Sequence, residues 1–229
     1  MATISVTQER ELVESGRGQL HQPSFINCPT SFAFTRPTYW ANAVLREMFK
    51  FTFIISCLPD TYFFMAMMAS ELLPGLFTAV SSVSYPNFHR FSGIRNNRTS
   101  NPYLENVKKL PNLNTLSLGF HTADLTKSAW QERERIALEL RDEMELSKQL
   151  KLKSEHDIIA FYKLDDVFQL ASLEVINLHC FDSELVAHFT TGGYPTDPLF
   201  ALQSFLASGF ANRGQDVKVN VSTTWVPYT

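Results

Sequence analysis

Two segments of the chain repeat one apolar pattern, and this repeat constrains the fold more than any other feature. Residues 104–118 read LENVKKLPNLNTLSL, and residues 164–178 read LDDVFQLASLEVINL. Both follow L-x-x-V-x-x-L-x-x-L-x-x-[LI]-x-L, at an offset of 60 residues. A spacing of three is typical of a buried helical stripe, and a spacing of two is typical of a strand. Each copy is therefore predicted to be a short helix, a turn and a strand.

The rest of the chain continues this alternation of helices and strands. Residues 198–210 carry apolar side chains at helical spacing, and residues 216–222 alternate between polar and apolar. Such an order is typical of an α/β fold with a largely parallel sheet. The length of 229 residues fits one domain. We expect a single α/β domain over residues 31–229, preceded by a weakly ordered segment, residues 1–30, that has no sustained periodicity.

The ending L-x-x-L-x-L of each copy resembles the leading half of a leucine-rich repeat. In that architecture the strands line a parallel sheet and the leucines fill the interior. The chain departs from the pattern because Gly119-Phe120 and His179-Cys180 stand where an Asn or Cys would follow the strand. The offset also exceeds the usual repeat of about 20–29 residues. A degenerate leucine-rich-repeat-like domain with a long insertion is the expected form.

The insertion, at about residues 126–163, is rich in both signs of charge. Residues 126–153 are predicted to form one long charged helix, packed on the outside of the sheet by a narrow apolar stripe: Trp130, Ile136, Leu140 and Met144. Two interpretations remain open, a solvent-facing structural helix and a partner-binding helix. For the second, the candidate partner-binding residues are Arg133, Arg135 and Arg141.

Charge and hydropathy limit the classes of partner. Lys plus Arg number 20 and Asp plus Glu number 23, a net charge of -3, so no global basic field exists to hold nucleic acid. The most apolar stretch, residues 51–83, is interrupted by Pro59, Asp60 and Pro74, and a spanning helix needs about 20 mostly apolar residues. We therefore expect a protein partner of unknown identity, no nucleic acid and no membrane.

The cysteines indicate a reducing compartment. Cys28, Cys57 and Cys180 are scattered and odd in number, unlike a disulfide framework. Residues 1–18 contain charged residues and no apolar core of a secretory signal. These features predict an intracellular protein, either cytoplasmic or nuclear.

Catalytic motifs are sparse. The sequence contains no H-E-x-x-H, C-x-x-C or G-x-S-x-G, so no metal site and no cofactor is expected. The best nucleophile candidate is Cys180, with His188 or His179 as its base. Adjacent strand residues point to opposite faces of a sheet, which sets His179 apart from Cys180. His188 would serve only if the following helix folds back.

The leucine-rich segments also resemble a known group of proteins. LPNLNTLSLGFH and LASLEVINLHC look like the leucine-rich stretches of fungal F-box-like and related uncharacterised proteins, and RPTYWANAVLREMFKFTF is similar to the region after their F-box. Residues 1–35 carry no F-box pattern, so recruitment to a cullin-type ubiquitin ligase is not implied. The resemblance implies the fold of the target-binding portion. We therefore predict a non-enzymatic protein-interaction module, with a small intracellular enzyme that uses Cys180 as the alternative.

Overall fold

The computed structural model describes residues 2–6, 45–69, 75–90 and 100–228, and its fold is α/β. Six strands form the main sheet: β1 (Ala2–Val6), β2 (Phe51–Ile55), β3 (Ser82–Tyr85), β4 (Thr115–His121), β7 (Val175–Ser183) and β9 (Lys218–Val226). Three further strands form a small sheet: β5 (Thr126–Ser128), β6 (Leu150–Leu152) and β8 (Thr190–Thr191). Within the main sheet the spatial order of the strands, β1-β2-β3-β4-β7-β9, follows their order along the chain.

The strands of the main sheet run largely parallel. β2 pairs in parallel with β1 on one side and with β3 on the other, and β3 pairs in parallel with β4. Asn220 contacts Asn177 and Ser222 contacts His179 in the same sequence direction, so β9 is also parallel to β7. The α/β class and the largely parallel sheet predicted from the sequence are confirmed.

Helical segments connect these strands. The α-helices are α1 (Leu45–Met48), α2 (Leu58–Met68), α3 (Leu76–Ala79), α4 (Pro102–Val107), α5 (Thr122–Leu125), α6 (Glu132–Leu140), α7 (Met144–Ser147), α8 (Glu155–Tyr162), α9 (Glu184–Phe189) and α10 (Asp197–Ala211). Leu164–Gln169 form a 3-10 helix. The predicted helix over residues 198–210 corresponds to α10, and the predicted strand over 216–222 corresponds to the first part of β9.

The chain divides into two compact units. The first contains residues 1–118 and 166–176, and the second contains residues 119–165 and 177–229. The division falls within β4, between Leu118 and Gly119, and within β7, between Ile176 and Asn177. The expected single domain over residues 31–229 stays a prediction.

Both copies of the leucine pattern fold as a helical turn followed by a strand. In the first copy α4 leads into β4, and in the second the 3-10 helix leads into β7. All twelve pattern positions are buried, with at most 5% of the side chain exposed: Leu104, Val107, Leu110, Leu113, Leu116, Leu118, Leu164, Val167, Leu170, Leu173, Ile176 and Leu178. The local structure predicted for each copy is therefore confirmed, while the wider likeness to a leucine-rich repeat stays a prediction.

The starts of successive strands are tied together in the same way. The carbonyl of Ser81 accepts hydrogen bonds from the N–H groups of Asn114 and Thr115, at 2.9 and 3.0 Å. The carbonyl of Asn114 in turn accepts from Glu174 and Val175, at 2.8 and 2.9 Å. This shared geometry sets the same register for β4 and β7, which puts the equivalent leucines of the two copies on one face of the sheet.

The N-terminal segment needs a correction. Residues 2–6 form β1, which pairs with β2 over its whole length, and Val6 is buried. The expectation of weak order therefore fails for these five residues. A strand as short as this carries little periodicity of its own, and its partner lies about 50 positions further along the chain. Residues 7–30 lie outside the described residues.

The predicted long charged helix is also wrong. Residues 126–153 form β5, α6, α7 and β6 instead of one continuous helix. The break falls at Asp142, whose φ of 64° is left-handed, and the N–H of Glu143 then donates to the carbonyl of Leu138 at 3.0 Å. A left-handed residue after the last turn is a common way to end a helix, and Asp tolerates it better than most residues.

Candidate partner-binding surface

Residues 129–149 form an arm that leaves the small sheet and returns to it. At its base β5 pairs antiparallel with β6, and the N–H of Ala129 donates to the carbonyl of Gln149 at 2.9 Å. Between these ends lie α6 and α7, which pack against each other. The arm therefore has a closed base and a helical tip.

A few polar contacts hold the tip together. The indole N–H of Trp130 donates to the carbonyl of Leu146 at 2.7 Å, which joins the start of the arm to α7. The N–H of Gln131 donates to the carboxylate of Glu134 at 2.9 Å and caps the first turn of α6. Isolated helices shorter than about 12–15 residues are marginal in water, so α6 depends on these contacts.

The apolar side chains of the tip face the solvent. Ile136, Leu140 and Met144 stand four residues apart, and their side chains are 45%, 84% and 46% exposed. Helix α6 has no buried residue at all. The predicted packing of this stripe on the sheet is therefore wrong, since Leu140 is almost fully in solvent and α6 ends at Leu140, before the left-handed Asp142.

The three candidate arginines are exposed, but they do not converge on one point. Arg133 lies three residues before Ile136 and shares its face of α6. The Nε atom of Arg135 lies 3.8 Å from the Oε1 atom of Glu139, an exposed pair that contributes little to stability. Neither Arg133 nor Arg141 forms an ion pair with any described residue. Arg133 is thus the arginine best placed to act together with the apolar stripe.

The arm exposes an excess of negative charge around these arginines. Residues 131–147 contain three arginines and six acidic residues: Glu132, Glu134, Glu139, Asp142, Glu143 and Glu145. By helical spacing, Arg133 flanks the stripe on one side, while Glu132 and Glu139 flank it on the other. The stripe therefore lies between one positive and one negative border.

Cys180, the nucleophile candidate, is fully buried in β7. Burial raises the pKa of its thiol to about 12, and the nearby carboxylates of Asp182 and Asp124 raise it further in the same direction. The thiolate is the reactive form of cysteine, so this environment opposes nucleophilic chemistry at neutral pH.

The two candidate bases do not serve Cys180. His179 lies on the opposite face of β7, where its Nδ1 atom is 2.9 Å from the Oγ atom of Ser222 and its ring stands edge-on against Phe181. His188 is exposed on α9, with its ring edge-on against Phe189. No hydrogen bond joins either ring to Cys180 in the part of the chain that the structure describes. The structure therefore does not assemble the predicted pair.

A polar cluster at the ends of β4 and β7 was not predicted. Thr122 accepts a hydrogen bond from the N–H of Ser183 at 3.1 Å, and the Nδ1 atom of His121 accepts from the N–H of Ala123 at 3.0 Å. Burial raises the pKa of the Asp182 carboxyl, and the attraction of His121 opposes that rise. The sequence did contain a signal, because the carboxyl ends of parallel strands meet at one edge of a sheet.

Neither a metal site nor a membrane span is found within the described ranges. No group of three or more His, Cys, Asp or Glu side chains among those residues has the arrangement of a metal centre. None of their helices has the length and apolar composition needed to cross a bilayer. Comparisons with family models, with curated proteins and with solved structures give no match for this chain.

Proposed function

We propose that this protein is a non-enzymatic protein-interaction module that docks a partner through the tip of the arm. The observation that carries the proposal is the exposed stripe of Ile136 and Leu140 on α6, a helix with no buried residue, and of Met144 at the start of α7. Apolar side chains at this spacing are what a partner's groove recognises when it binds an amphipathic helix. Within the chain itself the stripe contributes little to the core, so its conspicuous exposure favours a role in binding.

The scaffold supports the same proposal. We infer a degenerate leucine-rich-repeat-like sheet, similar to the target-binding part of fungal F-box-like proteins. The support is the strand order of the main sheet, which follows the chain, as in repeat proteins that stack one unit on the next. A doubly wound sheet would instead reverse its order at a switch point, where such folds bind their ligands.

The borders of the stripe define the chemistry of the partner. Leu140 and its neighbours fit an apolar groove, and Arg133 on one border favours an acidic group on the matching rim. Glu132 and Glu139 favour a basic group on the opposite rim. Such charges orient the partner and speed the encounter more than they add affinity. We propose an intracellular partner protein, in the cytoplasm or the nucleus, rather than a nucleic acid or a membrane.

The test compares two exposed leucines of the same unit. Leu140 lies on the stripe, and Leu185, 42% exposed on α9, lies outside the arm and serves as the matched control. Affinity purification with mass spectrometry from the native cell identifies a partner, and calorimetry then measures its binding to the purified full chain. We expect Leu140→Asp to weaken binding at least tenfold, about 1.4 kcal/mol, and Leu185→Asp to leave it unchanged.

A charge reversal tests the arginines separately. We expect Arg133→Glu to slow association and weaken binding more than Arg135→Glu does, because Arg135 already faces Glu139. Arg141→Glu completes the set of candidate residues. If all variants keep their circular dichroism spectra and bind with the affinity of the wild type, the arm is structural and the proposal fails. A ubiquitin-ligase subunit as the partner would extend the proposal to an adaptor role.

A further inference from the structure

The outer edge of β9 is a long strand edge that pairs with no other strand of the described residues. β9 stands last in the main sheet and contains nine residues, Lys218–Val226. Its second half, residues 222–226, is exposed. An open edge presents unpaired backbone N–H and C=O groups, which form a template for another strand.

Two contacts show which backbone groups face outward. In a parallel pair, the N–H and C=O groups of alternate residues point to opposite sides of the strand. The side-chain amide of Gln203 on α10 donates to the carbonyl of Val219 at 2.9 Å, which places that carbonyl on the side away from β7. The alternation then puts the backbone groups of Val221, Thr223 and Trp225 on the outer edge.

This edge lacks the usual protection against strand pairing. Proteins commonly guard such edges with charged side chains, bulges or proline. Residues 219–228 contain no charged side chain, and the first proline, Pro227, follows the end of β9. Trp225 is 53% exposed, so an apolar side chain accompanies the open backbone groups.

We propose that two copies of this chain pair antiparallel through β9, about a twofold axis beside Thr223. This register places Val221 opposite the partner's Trp225, an aromatic and β-branched pair of the kind that stabilises antiparallel strands. Lys218, the charge nearest the edge, lies opposite the partner's Tyr228 rather than another lysine. The edge is thus complementary to itself in charge and in side-chain type, as a twofold interface requires.

The ends of the ladder also agree with this register. Val219 lies opposite the partner's Pro227, and the hydrogen bond from residue 227 to the carbonyl of Val219 is the one that this pair does not make. The carbonyl of Val219 is already occupied by Gln203, and proline has no N–H to donate. The complete two-bond pairs are therefore those of residues 221, 223 and 225, and the pairing covers the open β9 edge of each copy. An extended peptide from another protein is the competing occupant.

The test uses two neighbouring exposed threonines as a matched pair. In the proposed register Thr223→Lys sets two lysines opposite each other, whereas Thr224→Lys sets each lysine opposite the partner's Ser222. Sedimentation equilibrium of the full chain measures the dimer. We expect a dimer for the wild type and for Thr224→Lys, and a dissociation constant at least tenfold higher for Thr223→Lys.

A covalent trap gives a second, positive readout. Oxidation of Thr223→Cys should give a disulfide-linked dimer, because only residue 223 meets its own copy across the axis within the distance range of a disulfide. Thr224→Cys is the control and should remain uncrosslinked beyond the wild-type background. A wild type that stays monomeric at about 100 μM, or equal effects at both positions, would overturn the proposal. A monomer that binds extended peptides at this edge would also overturn it, in favour of the competing occupant.

Discussion

The two leucine-rich copies and the tip of the arm both carry apolar residues at helical spacing, yet they end in opposite environments. In the copies, residues 104–118 and 164–178, every pattern position is buried. In the arm, the stripe of Ile136, Leu140 and Met144 lies in solvent. The same periodicity has therefore produced a core in one region and an open surface in the other.

The difference teaches that periodicity predicts an apolar face but not what covers it. In each copy the spacing changes from three to two within the same segment, so the helical turn leads directly into a strand of the main sheet. That strand brings the apolar face to the core. In the arm the left-handed Asp142 interrupts the stripe between Leu140 and Met144, and the chain turns back to its own base. The strand that follows, β6, belongs to the small sheet at the base of the arm and leaves the stripe uncovered.

The largest expected effect is the slow alkylation of Cys180. This residue follows Leu178 on the buried face of β7 and so continues the apolar pattern of the second copy. With a pKa of about 12, its thiolate fraction at pH 8 is about 1,000-fold below that of an ordinary thiol, and burial slows access further. The alkylation rate should rise about tenfold per pH unit below that pKa. Iodoacetamide labelling with mass mapping, before and after denaturation, measures it. If Cys180 were alkylated as fast in the folded protein as in the denatured protein, this face of β7 would be accessible to solvent, contrary to the structure.

Truncation of a leucine in either copy should cost much of the stability. Leu118 and Leu178 are fully buried at the centres of their strands. Leu118→Ala or Leu178→Ala should each lower the free energy of unfolding by about 2–5 kcal/mol, the range for buried leucines. Chemical denaturation measures the change. A loss below about 1 kcal/mol for both variants would show that these leucines are not core residues, and the difference from the exposed stripe of the arm would no longer hold.

Loss of the indole hydrogen bond should have a smaller, local effect. Trp130→Phe keeps a ring but leaves the carbonyl of Leu146 without its donor, and a hydrogen bond of this kind contributes about 0.5–1.5 kcal/mol. Amide hydrogen exchange should quicken within α6 and α7, while protection in β4 and β7 stays the same. Uniform loss of protection would mean that the arm and the sheet unfold together.

Removal of the stripe should have the smallest effect on folding. Leu140→Asp should change the free energy of unfolding by less than about 0.5 kcal/mol, as for exposed positions away from the core. The same denaturation experiment as for Leu118→Ala gives a direct comparison. A loss of several kcal/mol would place Leu140 in the core, contrary to its 84% exposure.

Sequence reasoning predicted the elements in which local pattern and tertiary role agree. The two copies, α10 and β9 each carry enough residues for a clear period, and the sheet uses the face that the period indicates. The burial of Cys180 and its separation from His179 also follow from the alternation along a strand.

The remaining features depend on contacts that no local window contains. β1 is defined by its pairing with β2, and β5, β6 and β8 are short strands defined by one another. The break at Asp142 occurs within a segment whose residues favour helix. A prediction from helix propensity therefore continues the helix through this position. The exposure of the candidate arginines could be predicted from their charge. The directions in which their side chains point could not be predicted, because those directions depend on where α6 begins and ends.

The closed base of the arm has a consequence for engineering. Ala129 and Gln149 are joined by a backbone hydrogen bond, so the two ends of the segment between them lie side by side. A short hairpin turn could replace that segment, which makes it an insertion site. The entropy of closing a loop changes only by about 0.6 kcal/mol per doubling of its length, so the scaffold should accept inserts of very different size there. A foreign helical hairpin or an affinity peptide could be grafted at this insertion site, so that the chain would serve as a scaffold that displays a chosen binding sequence.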